Sequence, residues 1–239
     1  MKIPFSAYDF FGTLAAGFVT LAAVDFAFEG GWLLRAEHTP VFGVVWVVIA
    51  YVTGHIVAHI SSVFIEHKLV RNCFGSPEEH LLAVEKPSGA LATLFPGNFQ
   101  PLPEATRIRI QTKARQCGVE PKGRAFFFHC HPIVKREAAT LERLNSFLNI
   151  YGFCRNMTMA ALVAVALMIV GSIRDLDLDD FWGSIHSEQL WAAAAAAAAA
   201  IGMFYRYLKF FRHYTLEVFL AYMEAKVEES TPIDKGTKP

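Results

Sequence analysis

His55 and His59 stand four residues apart in the stretch VFGVVWVVIAYVTGHIVAHISSV, which carries no formal charge. On a helix that spacing puts both imidazoles on one face, where they could ligate a metal, pass protons or hydrogen-bond to neighbouring helices. Glu66 and His67 follow. Ionisable groups at membrane depth are costly and point to function by default. Asp25, the single charge inside a first apolar stretch, therefore joins His55, His59 and Glu66 as an intramembrane polar set. Its expected partners are Arg35, Arg174 or headgroup water.

Cys117, His129, Cys130 and His131 gather the ligand types that tetrahedral zinc takes. If the chain is extended there, His129 and His131 point to one side and Cys117 approaches across the turn at Pro121, with Cys73 or His80 as a fourth ligand. The spacing matches no standard site, so no cofactor is expected, and zinc or iron are the metals these residues could hold. Arg71, Arg155, Arg206 and Arg212 lie close to the ends of apolar stretches and suit lipid headgroup phosphates or helix ends. The acidic run Asp175, Asp177, Asp179, Asp180 lacks the glycine and final glutamate of a calcium loop and reads as a solvated loop.

The nine histidines and a four-span layout with both ends on one side resemble the membrane di-iron hydroxylases and desaturases, through His55-Ile-Val-Ala-His59. That resemblance implies two irons held by further paired-histidine boxes. Here there stand His129-Cys130-His131 and the isolated His67, His80 and His213, too few pairs for two irons. Arg124 to His129 and Arg206 to His213 meet the loose Arg-to-His spacing of HEPN ribonucleases, with Ala125 and Tyr207 where that family carries a polar residue. No Gly-rich phosphate loop, nucleophile elbow or HExxH is present, which excludes enzymes of those classes.

The elements that position these residues are apolar helices. A composition that is 54% hydrophobic points away from an ordinary soluble domain. Hydrocarbon of about 30 Å takes roughly 17 to 25 helical residues, and four stretches qualify: 10–28, 41–63, 157–173 and 189–205. The last includes nine consecutive alanines, Ala192 to Ala200, which are only weakly apolar. Charge placement argues for it nonetheless. With four spans, of 22 Lys and Arg all but Arg35 and Arg174 fall on one side, the cytoplasmic side by the positive-inside rule. The expected location is a bacterial inner membrane, with both termini cytoplasmic. Because Lys+Arg and Asp+Glu balance, no nucleic-acid partner is expected.

The expected fold is thus an all-α membrane protein in four parts: an N-terminal hairpin (1–65), a cytoplasmic helical domain (66–156), a C-terminal hairpin (157–205) and a helical cytoplasmic tail (206–239). Ser76-Pro77-Glu78-Glu79 signals a helix start; residues 87–103 read as an irregular loop, 103–118 as a helix and 125–128 as extended. Pro132 is expected to open a long helix carrying Val134, Leu141, Leu144, Leu148 and Tyr151 into the third span. The fourth span should continue through Leu208, Phe211, Thr215, Val218, Phe219 and Tyr222. Two such helices pack into a stalk beneath the membrane. The functional expectation is a non-enzymatic membrane protein whose cytoplasmic module binds or senses a partner and couples to the bundle, as a signalling, scaffold or pore-forming effector component, with lipid and further copies as membrane partners. The alternatives are a His-ligated metalloenzyme and a proton-coupled carrier.

Overall fold

The computed structural model describes residues 7–33, 39–174 and 187–225, and for 7–9 the backbone alone. Within them all regular structure is helical: α1 (Ala7–Ala27), α2 (Pro40–Ser61), a π-helical segment (Ser62–Phe74), α3 (Pro77–Leu82), α4 (Ala90–Leu94), α5 (Glu104–Gln116), α6 (Gly123–Val134), α7 (Ala138–Ser172) and α8 (Ser187–Glu224). The acidic run 175–180, Arg35 and the tail beyond 225 lie outside the described residues. Among those described, three helices, α1, α2 and α7, are long and apolar enough to cross a membrane.

At 1.5 Å per residue, α7 with 35 residues and α8 with 38 extend for about 52 and 57 Å. Both exceed the hydrocarbon thickness, so each has an apolar half and a polar half. They run antiparallel along most of their length. Alongside them α1 runs parallel to α7, from Gly12 beside Phe153 to Ala27 beside Gly171. α2 returns against α1.

Small residues make the apolar half. The buried face of α1 is Thr13, Ala16, Gly17, Thr20, Ala23 and Ala27, and that of α2 is Ala50, Gly54, Val57 and Ser61. A Cβ on Gly17 would fall 1.7 Å from Ala50 O, and one on Gly54 would fall 2.0 Å from Thr13 O, so the two backbones touch. Such approach is how helices gain contact where lipid is as apolar as leucine. The rest of α2 is open, with Val44, Val48, Val52 and Ile56 exposed.

The polar half is cored differently. Leu81, Ile110, Phe126 and Cys130 of α3, α5 and α6 close on Leu144, Val218, Phe219 and Tyr222 of α7 and α8. Phe126 stacks on Phe219 at 5.5 Å and meets Tyr222 edge-on. Three helices thus share one core with the ends of the two long ones; this is the module.

Four local expectations change. Residues 125–128 are helical, within α6, because no partner strand exists for an extended segment among the described residues and an amphipathic helix buries Phe126, Cys130 and Val134. Pro132 lies late in α6, where little of the helix remains to be disrupted. The long helix opens six residues later at Ala138, with Glu137 as its extended cap and its Oε2 accepting from the Thr140 hydroxyl. Leu148 of the expected stripe is accordingly 40% exposed while Leu144 is buried. Residues 90–94 of the expected irregular loop form α4. Finally, the chain stays helical past Glu66 to Phe74: nothing breaks it before Gly75, whose φ of 73° turns the chain away.

Candidate functional site

Glu66 sits in the π-helical segment, whose hydrogen bonds close over five residues instead of four. Residues five apart therefore share a face, whereas on an α-helix they would be turned well apart. Glu66 Oε1 accepts from Arg71 Nη2 at 3.2 Å along this register, and the His67 ring reaches Ser62 O at 2.8 Å across the same interval. Glu66 Oε2 takes a second, shorter bond of 2.6 Å from Arg155 Nη1 of α7. The carboxylate is thus held between two guanidinium groups where the apolar half meets the module.

Further polar groups surround this ion pair. Arg155 Nη2 approaches Asn156 Oδ1, which lies 2.8 Å from the Ser61 hydroxyl at the end of α2. Tyr151 and Tyr207 complete the site from α7 and α8. Burial, and then the Glu66 carboxylate, push the Tyr151 hydroxyl up to about 12. The same two causes raise Tyr207. Both hydroxyls stay protonated, so they can donate but not act as bases. Tyr207 Oη and Arg155 Nε are buried without a hydrogen-bond partner among the described residues, a cost of about 1–3 kcal/mol for each such group.

Of the intramembrane set, only Glu66 takes part. Asp25 lies at the far end of α1, 3% exposed, its carboxylate accepting from the backbone N–H of Trp32 at 2.7 Å and of Leu33 at 3.1 Å. It holds the turn at Gly30 and Gly31. His55 and His59 share a face, as their spacing requires, but it is the exposed face of α2; the Tyr51 ring meets His55 edge-on at 4.5 Å. Asp25 and the histidines are therefore near opposite ends of the apolar half.

Among the headgroup-type arginines, Arg71 and Arg155 converge on Glu66. Arg212 donates to Gln100 O and ties the loop before α5 to α8. Arg206 is exposed and lies over Phe210, 5.6 Å from the ring centre.

The Cys and His set is divided by α6, because successive residues on a helix point about 100° apart. Cys130 faces the core, where burial raises its thiol; His131 shares a 2.8 Å hydrogen bond with the Tyr214 hydroxyl; His129 lies edge-on to Tyr222. Cys117 is half-buried at the end of α5. Among the described residues no group of three or more His, Cys, Asp or Glu is placed to hold a metal ion.

Sequence reasoning missed Ser61, Tyr207 and Lys113 as polar contacts. Lys113 Nζ donates to the carbonyls of Tyr222, at 2.6 Å, and Met223, at 3.2 Å, closing the end of α8. A lysine on one helix binding the open carbonyls of another leaves no sequence signal, although cations generally favour helix C-termini. Comparison with known protein families, with curated proteins and with solved structures finds no match to this chain.

Proposed function

We propose that the chain is a non-enzymatic, four-span membrane relay. Its cytoplasmic module binds a partner, and the state of that module is passed to the bundle through α7 and α8. The observation that carries this reading is continuity. Leu144 and Phe219 lie in the module core, while Ala164 and Ala193, on the same two helices, lie in the small-residue core of the apolar half. A displacement of either end is transmitted along an unbroken rod.

α8 supports the fourth span by position. Its Ala193 contacts the cluster of Ala23, Ala27, Ala164 and Met168, and Gln189 Nε2 donates to Ala27 O at the far end of α1. Where α1 and α7 cross, α8 crosses with them. Both ends of the chain and the module then lie on one side, with the basic residues. The open apolar surface of α2 faces lipid or a second copy.

Two measurements test the proposal. A reporter active only outside the cytoplasm should work when fused near residue 179 and fail near Gly89 or after Pro239; activity after Pro239 refutes the fourth span. For the relay, spin labels at the exposed far-end positions Val41 and Val170 report bundle geometry. Replacing Glu66→Gln should shift or broaden the distance between them, and an unchanged distribution refutes coupling through this joint.

A further inference from the structure

A cavity of about 210 Å³ lies between α1 and α7, lined by Gly12 and Thr13 on one side and by Asn149, Tyr151, Gly152, Arg155 and Asn156 on the other. We propose that it binds a phosphate group, carried by a phospholipid or by a small phosphorylated solute. Arg155 is the charged contact; Asn149, Asn156 and Thr13 are the neutral ones.

Glycine makes the room. No atom lies within 4 Å of the position a Cβ would take on Gly152, and a Cβ on Gly12 would be 3.2 Å from the Phe153 ring. The volume is far above the roughly 10–15 Å³ that a single water needs on the same measure, enough for a phosphate and its ester neighbour. Leu148 and Phe153 line it as well, so the site offers an apolar wall beside the polar contacts.

Charge favours an anion. Two guanidinium groups face one carboxylate, which leaves one positive charge in excess. Glu66 grips Arg155 through Nη1 and so fixes the plane of the guanidinium, while the Nε of Arg155 is buried without a partner among the described residues. A guanidinium whose plane is fixed in this way keeps Nη hydrogens beyond the Glu66 bond for phosphate oxygens. The height also fits. Gly12 lies two residues inside the apolar stretch of α1 and Gly152 five residues before that of α7, a level at which headgroup phosphates sit if those helices cross. A phosphate site here requires no relay by the module.

The test uses the full chain in a phosphate-free maltoside detergent, with thermal unfolding followed against added inorganic phosphate, short-chain phosphatidylglycerol and a short-chain uncharged glycolipid. The expected result is a Tm rise of several degrees with a phosphate compound and none with the glycolipid. A rise with phosphatidylglycerol alone identifies a headgroup site; an equal rise with inorganic phosphate identifies a solute site. Gly152→Leu fills the cavity without removing any contact, and leucine favours the helix over glycine. It should fold at least as stably as the parent and weaken binding tenfold or more. Arg155→Lys, which keeps the charge but loses the planar fork held by Glu66, should weaken it less. No shift with either phosphate compound, an equal shift with the glycolipid, or an undiminished shift in Gly152→Leu overturns the proposal.

Discussion

Near the Gln189 end of α8, the two long helices and α1 meet through Ala23, Ala27, Ala164, Met168 and Ala193. Near the Glu224 end the same two helices meet through Leu144, Val218, Phe219 and Tyr222, with Phe126 stacked on Phe219. Where lipid surrounds a helix, apolar side chains gain nothing by leaving it, so stability comes from backbones in contact. Where water surrounds it, aromatic area removed from solvent is the main term. One continuous helix pair thus changes its means of cohesion part-way along, and the Glu66 ion pair marks where.

The comparison predicts opposite sensitivities at the two ends. The largest effect expected is Phe219→Ala, which empties the centre of the module core at about 3–5 kcal/mol. Denaturant unfolding followed by near-ultraviolet circular dichroism should show it. A mutant whose α1–α2 contact fails at the same denaturant concentration would show that the two ends are one cooperative unit. In the apolar half the sensitive change is an addition. Gly17→Ala places a methyl group 1.7 Å from Ala50 O, and separating the helices should cost about 3 kcal/mol. Thermal unfolding in detergent measures this, and a neutral result would mean that α1 and α2 do not touch there.

The smallest effect is one of pH and belongs to the module alone. Burial, and then Lys135, hold the His131 imidazole below its ordinary range. The unfolded chain therefore binds a proton here more readily than the fold does. Stability is full above the ordinary value of about 6.5 and is lost as pH falls through the depressed one. The Tm of the module should drop between pH 7.5 and pH 5, and His131→Gln should flatten that drop; the same slope in parent and mutant refutes the assignment.

Much of the helical layout could be read from the residues. The first two apolar stretches, 10–28 and 41–63, fall on α1 (Ala7–Ala27) and on α2 with the start of the π-helical segment, because long apolar runs have few alternatives. Pro77 does open a short helix. The joint was harder to see. Glu66 and Arg71 are five residues apart, which on an ordinary α-helix means different faces. Arg155 is 89 residues from Glu66 in sequence, so only folding brings them together. His129, Cys130 and His131 looked like a cluster because an extended chain was assumed, and one turn of helix sends them three ways. The bonds that Asp25 accepts from Trp32 and Leu33 run to backbone N–H groups exposed by a turn, which residue types do not reveal.

The thirteen-residue π-helical segment is wound differently from the helix it extends. Its turns hold more residues than α-helical turns, so a switch of Ser62–Phe74 to α register would lengthen the segment and rotate everything attached at Gly75 about its axis. Glu66 lies within the segment and would turn with it, so its contacts with both Arg71 and Arg155 oppose that switch. The two ion pairs of Glu66 thus hold the register of the segment that joins α2 to the module.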